Sequence, residues 1–235
     1  VGGRVYEQYE LIADQYAETF AGQFDERPFD RAVLRSFADL VTQSGGRSVL
    51  DAGCGPGEAT AELADCGLCA EGVDGSAAMV SLASRRWPQL RFQTADMFGL
   101  AHAPGSFDAV CAWYSIIHTP ADALPELFTG FRRILTDPGW LLLAFQTDGE
   151  PGIYEQAFGR DVALTFLRHD TATVCAALAA SGFTVYATTK RARQAHLNEP
   201  TAQAVVIAHT RRPWAPPAGS RSPSPMPVRI GPPSR

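Results

Sequence analysis

The chain has 235 residues, 46% hydrophobic and 19% charged, which fills one globular core with room for a small cap. Its net charge of −5 is uneven, because five arginines and no acid follow position 210, leaving residues 1–210 at about −10. So acidic a body lacks the clustered lysine and arginine that a nucleic-acid backbone requires, and no nucleic acid is expected as partner.

The opening residues VGGRVYEQYE have no apolar signal-peptide core. The longest apolar runs, such as WLLLAF at 140–145, are too short to cross a bilayer, so no membrane partner is expected. Five scattered cysteines fit a reduced, cytoplasmic protein. Cys66 and Cys69 form a C-x-x-C, but there is no second pair, and His102, His169, His196 and His209 show no metal spacing. No metal is expected.

In chain order, residues 4–43 read as two helices, part of a helical cap over 1–45. A strand is predicted at 47–52 (RSVLDA), then a helix at 58–66 closed by Gly67. A strand at 68–74, a helix at 77–86 and strands at 90–96 and 107–113 follow. Leu124, Leu127, Phe128, Phe131, Ile134 and Leu135 form a helical stripe within 121–135, before a fully buried strand at 139–146. An irregular insertion is expected over 147–170, then a helix at 171–181 capped by Gly182, and two strands, FTVYATTKRA and TAQAVVIAHT. The segment from Pro213 holds eight of the seventeen prolines among Ser, Gly and Arg, and 213–235 is expected to be disordered. Strand–helix alternation predicts an α/β, Rossmann-like, doubly wound seven-stranded sheet over 46–212. It should be mostly parallel with an antiparallel edge hairpin and helices on both faces. Ligands of such sheets bind beyond the carboxyl ends of the strands, where Gly53–Gly57, Asp74, Asp96, Trp113 and Gln146 fall.

The segment VLDAGCGPG (49–57) places an acid ahead of alternating Gly53, Gly55 and Gly57. No lysine or hydroxyl residue follows as in a P-loop, and the spacing is not the G-x-G-x-x-G of nicotinamide enzymes. A carboxylate beside a pyrophosphate repels it, whereas the same carboxylate attracts ammonium and sulfonium charge. S-adenosylmethionine fits: the glycines let its methionyl part lie against the backbone. Asp74 ends the second strand, where a ribose-binding acid is expected, and Asp96 the third, able to accept from an adenine amino group.

With GVDGSAAMV, TADM, FDAVCAWYSIIH and FRRILTDPGWLLLAF in order, the sequence resembles the class I S-adenosylmethionine-dependent methyltransferases over roughly residues 6–210. YELIADQYAETF resembles the N-terminal segment of the small-molecule branch. The resemblance implies Asp51, Gly53, Gly55 and Gly57 as the methionine loop, and Asp74 with Gly75 and Ser76 at the ribose. It implies Asp96 and Met97 at the adenine, Ala112 and Trp113 lining the site, and Tyr16 closing over the methionine end.

Methyl transfer from a sulfonium is an in-line displacement, so the protein mainly aligns the two reactants and excludes water. His118, just past the fourth strand, is the candidate general base where the acceptor must lose a proton. A structural histidine bonded to a backbone carbonyl is the competing reading. Tyr9, Tyr114, His118 and Gln146 are the candidate acceptor-binding residues, and the acceptor is expected to be a small, partly aromatic or apolar molecule under a cap including 147–170. The acceptor's identity, the methylated atom and the choice between monomer and homodimer are not written in the sequence. A non-catalytic cofactor-binding module, or transfer of another group from an S-adenosyl cofactor, remains an alternative.

Overall fold

A computed structural model of the chain describes residues 2–210. The expected tail at 213–235 lies outside the described residues. Two helices, α1 (Gly2–Thr19) and α2 (Pro28–Gln43), precede β1 (Ser48–Ala52). Then come α3 (Glu58–Asp65), β2 (Cys69–Asp74), α4 (Ala77–Arg86), β3 (Arg91–Thr94) and β4 (Phe107–Trp113). After a turn at Ile116–His118 follow α5 (Leu124–Ile134), β5 (Leu135–Thr147), β6 (Gly152–Ala157) and β7 (Arg160–Phe166). The series closes with α6 (Thr171–Ala180), β8 (Phe183–Arg191) and β9 (Ala202–Thr210).

Seven strands form one sheet in the order β3-β2-β1-β4-β5-β9-β8. The first five run parallel, and β9 pairs antiparallel with both β5 and β8. Apolar side chains on both faces explain the fully buried run Leu141–Phe145 of β5. On one face Leu124, Phe128 and Phe131 of α5 and Val174 and Leu178 of α6 pack against Leu50, Val110 and Leu143. On the other, Leu34, Phe37 and Val41 of α2 and Leu63 of α3 pack against Val49, Cys111 and Leu142. The strand order reverses between β1 and β4, which opens a crevice beyond their carboxyl ends.

Two expectations are corrected. The strand expected at 139–146 begins at Leu135, directly after α5. The stretch 147–170, expected to be irregular, holds an antiparallel hairpin of β6 and β7 that forms its own two-stranded sheet. Val162 and Leu164 bury one face of the hairpin against Ile12 of α1. Helix and hairpin together roof the crevice.

Candidate active site

The loop after β1 is tied down by Gly53 N and Cys54 N, which both donate to the Val73 carbonyl at the end of β2. Gly53 has φ +75°, and a Cβ there would stand 2.3 Å from the Ser115 Cβ, so only glycine lets the β1 and β4 ends close together. Gly57 meets Trp87 and Phe92 in the same way and serves packing. Gly55, with φ +52°, faces open space instead, where a ligand can lie against the backbone.

The carboxylates around this loop occupy distinct environments. Asp51 is fully buried; its Oδ2 accepts from Thr60 Oγ1 at 2.6 Å, while Oδ1 has no partner. Burial pushes its pKa up to about 7, against the opposing Thr60 hydrogen bond. Asp74 accepts from Gly55 N at 2.9 Å and from Ser76 N at 2.8 Å. Burial raises its pKa although both amides favour the charged form. Asp96 accepts from Tyr6 Oη at 2.9 Å and from Phe98 N at 3.0 Å.

A cavity of about 530 Å³ runs from this loop under α1 and the hairpin, within the size range of ligand sites. Tyr9, Tyr16, Asp51, Gly53, Gly55, Asp74, Met97, Trp113, Tyr114, His118 and Gln146 all line it. Gly75 lies under the Tyr6 ring, whose nearest atoms would be 2.3 Å from a Cβ placed there. Ser76 caps α4 by accepting from Met79 N and donates to Glu10 Oε1. Ala112 is fully buried on the α5 and α6 face of the core. Gly57, Gly75, Ser76, Asp96 and Ala112 thus surround the lining without forming part of it.

Tyr114 has φ +55°, an uncommon conformation for a bulky residue, and its ring meets Trp113 edge to face at 5.5 Å. Burial pushes the Tyr16 phenol up to about 12, with Asp74 adding to the shift. His118 Nδ1 lies 2.7 Å from the Thr165 carbonyl, and its Nε2 lies 2.9 Å from Tyr9 Oη. Gln146 accepts from Arg168 and pairs in register with Gln203 on β9.

Several lining residues had no place in the sequence reading. Tyr6 lies on the α1 face that also carries Tyr9 and Tyr16; that helical spacing was the available signal. At the far end, Arg27, Asp30, Glu199 and Gln203 line the cavity. Arg191 holds Glu199 with a two-pronged contact, 2.7 Å on each arm, and stands 3.6 Å from buried Asp30. No local pattern announces that pairing. Among the described residues no His, Cys, Asp and Glu cluster suits a metal, and no helix is long and apolar enough to cross a membrane.

A parallel sheet reversing beside an acid–glycine loop, with a carboxylate ending the next strand, is a Rossmann-like doubly wound fold with its ligand crevice at the switch point. Residues 49–139 match the family model for a methyltransferase domain. A demethylmenaquinone methyltransferase of Beutenbergia cavernae is 34% identical over 55% of this chain and 56% of the relative. One from Renibacterium salmoninarum is 32% identical over 48% of this chain and 46% of the relative. The chain therefore spans about half the length of the curated relatives it matches. A crystal structure of magnesium protoporphyrin IX methyltransferase from Synechocystis PCC 6803, with bound S-adenosylmethionine, has the same fold. It superposes with TM-score 0.65 at 21% identity, covering 88% of this chain and 95% of that one.

Proposed function

We propose that the protein transfers a methyl group from S-adenosylmethionine to a small-molecule acceptor. The observation that carries this reading is the unpartnered Oδ1 of Asp51, buried at the wall of the cavity next to Gly53 and Gly55. A buried carboxylate oxygen without a donor is costly, and an ammonium group supplies the missing partner. Asp74 adds negative charge close to where a sulfonium would lie, and the open backbone at Gly55 leaves room for the methionyl chain.

In this reading Asp51, Gly53, Gly55 and Tyr16 hold the amino-acid end, Asp74 the ribose, and Asp96 with Met97 the adenine. Gly57, Gly75, Ser76 and Ala112 shape those contacts from behind, while Trp113 walls the reacting centre. The sulfonium supplies a methyl group already activated for displacement, so the protein's share is alignment and exclusion of water. Tyr9, Tyr114, His118 and Gln146 face the acceptor from the other side of the cavity. Its aromatic and apolar lining, closed by α1 and the hairpin, suits a small, partly aromatic molecule. The curated relatives named for a demethylated quinone support that size and chemistry. The acidic body supports action without nucleic acid, five free thiols support a cytoplasmic setting, and we assign a monomer or homodimer. Incubation with methyl-labelled S-adenosylmethionine and a panel of small metabolites, followed by mass spectrometry, tests the reading. S-adenosylhomocysteine and one labelled small product are expected; labelled protein or RNA with every metabolite inert overturns it.

A further inference from the structure

The turn at Ile116–His118 is held more firmly than a wall of a cavity requires. Leu167 N donates to the Ile117 carbonyl at 2.7 Å, and His169 Nε2 contacts the Ile116 carbonyl at 3.0 Å. His118 Nδ1 meets the Thr165 carbonyl at 2.7 Å. All three bonds come from the strand that returns from the hairpin, so β7 and its continuation fix the imidazole in place.

The partners also fix its protons. The Thr165 carbonyl can only accept, so Nδ1 carries the hydrogen, and in the neutral ring Nε2 carries the lone pair. Tyr9 Oη, 2.9 Å away, then donates to Nε2. With its only hydrogen committed to His118, the Tyr9 oxygen has only acceptor capacity left for the cavity it lines. A hydroxyl group of a ligand is the complementary partner.

Resting on the methyltransferase reading, we propose that Tyr9 meets the acceptor and passes its proton to His118, and that the acceptor bears an acidic hydroxyl of the phenol or enol type. The acceptor's O–H proton moves to Tyr9 Oη as the Tyr9 proton moves to His118 Nε2, leaving a neutral tyrosine and an imidazolium. The electron pair left on the acceptor oxygen, or delocalised onto a conjugated ring carbon, forms the bond to the methyl carbon. The sulfur keeps the pair of the bond it loses, and the imidazolium later returns its proton to water. Tyr9 is the catalytic residue in this scheme; His118 acts through it.

The surroundings keep both groups in the required state. Burial lowers the His118 pKa, only partly opposed by the Thr165 carbonyl, so the ring is neutral near pH 7 and free to accept. Burial, with Tyr16 and Asp74 adding to it, raises the Tyr9 pKa and keeps its proton in place until the acceptor arrives. Among residues packed on the imidazole, Tyr9 is the titratable neighbour, with Tyr16 in edge contact behind it and Phe166 against the ring.

Two measurements on the full chain test this. In the protein alone, ¹⁵N resonances of the imidazole should show His118 as the neutral Nδ1-protonated tautomer at pH 7, and Tyr9→Phe should shift Nε2. An Nε2-protonated ring overturns the proposal. The second compares 1,4-dihydroxynaphthalene with 2-naphthylamine, whose nitrogen attacks without losing a proton first. Tyr9→Phe and His118→Gln should each lower kcat for the hydroxyl probe about 10²–10⁴-fold, at least tenfold more than for the amine probe, with cofactor Kd within a few-fold of wild type. Wild-type kcat for the hydroxyl probe should fall as pH drops through the His118 pKa, and that step should vanish in Tyr9→Phe. Equal losses for both probes, an unchanged kcat in Tyr9→Phe, or cofactor binding without turnover of the hydroxyl probe overturns the proposal. A wild-type protein that binds no cofactor instead removes the methyltransferase reading beneath it.

Discussion

At Asp51 the fold shields a carboxylate from solvent and leaves one of its oxygens without a donor. Burial raises its pKa from 3.8 to about 7, so between those values the folded protein binds a proton that the unfolded chain has released. Stability therefore falls as pH rises through that window, and above about pH 7 the full penalty applies, on the order of 4 kcal/mol. Asp51→Asn is expected to raise the melting temperature of the ligand-free protein at pH 8, with the gain fading toward pH 4. The same variant should weaken S-adenosylmethionine binding more than tenfold. A lower melting temperature at pH 8, or unchanged affinity by calorimetry, contradicts this assignment. Asp74 is different, because its oxygens already hold the Gly55 and Ser76 amides. Asp74→Ala should cost about 1.5–3 kcal/mol of cofactor affinity, as for hydrogen bonds to a charged group, and should lower thermal stability as well. Retained affinity would place the ribose elsewhere. Asp51 and the glycines were legible because an acid and three alternating glycines lie within one short segment, and Asp74 because it ends the next predicted strand. Tyr6 was not, since its partner Asp96 is 90 positions away and nothing near Tyr6 specifies it.

Helix α1 works as a strap. Tyr6 reaches Asp96, Gln8 accepts from Ala163 N at 2.9 Å, Tyr9 meets His118, and Glu10 accepts from Ser76 Oγ and Ala78 N. One helix thereby ties the start of α4 to the hairpin across the cavity. Tyr6 Oη donates to Asp96, the residue proposed to accept from adenine. Tyr6→Phe should therefore tighten cofactor binding, about 2–10-fold for one hydrogen bond no longer broken on entry. A weaker or equal Kd in titration would mean that Tyr6 and the adenine do not compete. The hairpin escaped the sequence reading for a local reason. Its two-residue turn, Phe158–Gly159, has φ +52° and +73°, a geometry normally signalled by Asn-Gly or Asp-Gly. A phenylalanine in the first position hid the turn, although Val162, Leu164 and Phe166 alternate as a half-buried strand should. The buried helices and central strands were legible because their apolar spacing repeats over a longer stretch.

Across the whole molecule, strand–helix alternation was enough to give a parallel sheet with an antiparallel edge, since parallel neighbours need helical crossovers. What closes the far end of the cavity was not legible, because it joins α2 to the β8–β9 connection. There Arg191 spans Glu199 and buried Asp30, so the connection is held against α2 beside the cavity. Removing the cation leaves two carboxylates facing each other with little solvent. Arg191→Met is expected to cost about 3–5 kcal/mol in urea unfolding, the usual cost of breaking a buried pair by removing one partner. A loss below about 1 kcal/mol would make the pair an ordinary surface contact. The cavity between loop, strap and hairpin decides the function by what it holds. Calorimetric titration of the full chain with S-adenosylmethionine tests this most directly. A single site of micromolar Kd, about −8 kcal/mol, is predicted, with S-adenosylhomocysteine competing for it. No heat with either ligand, or saturable binding of NAD in their place, would contradict it.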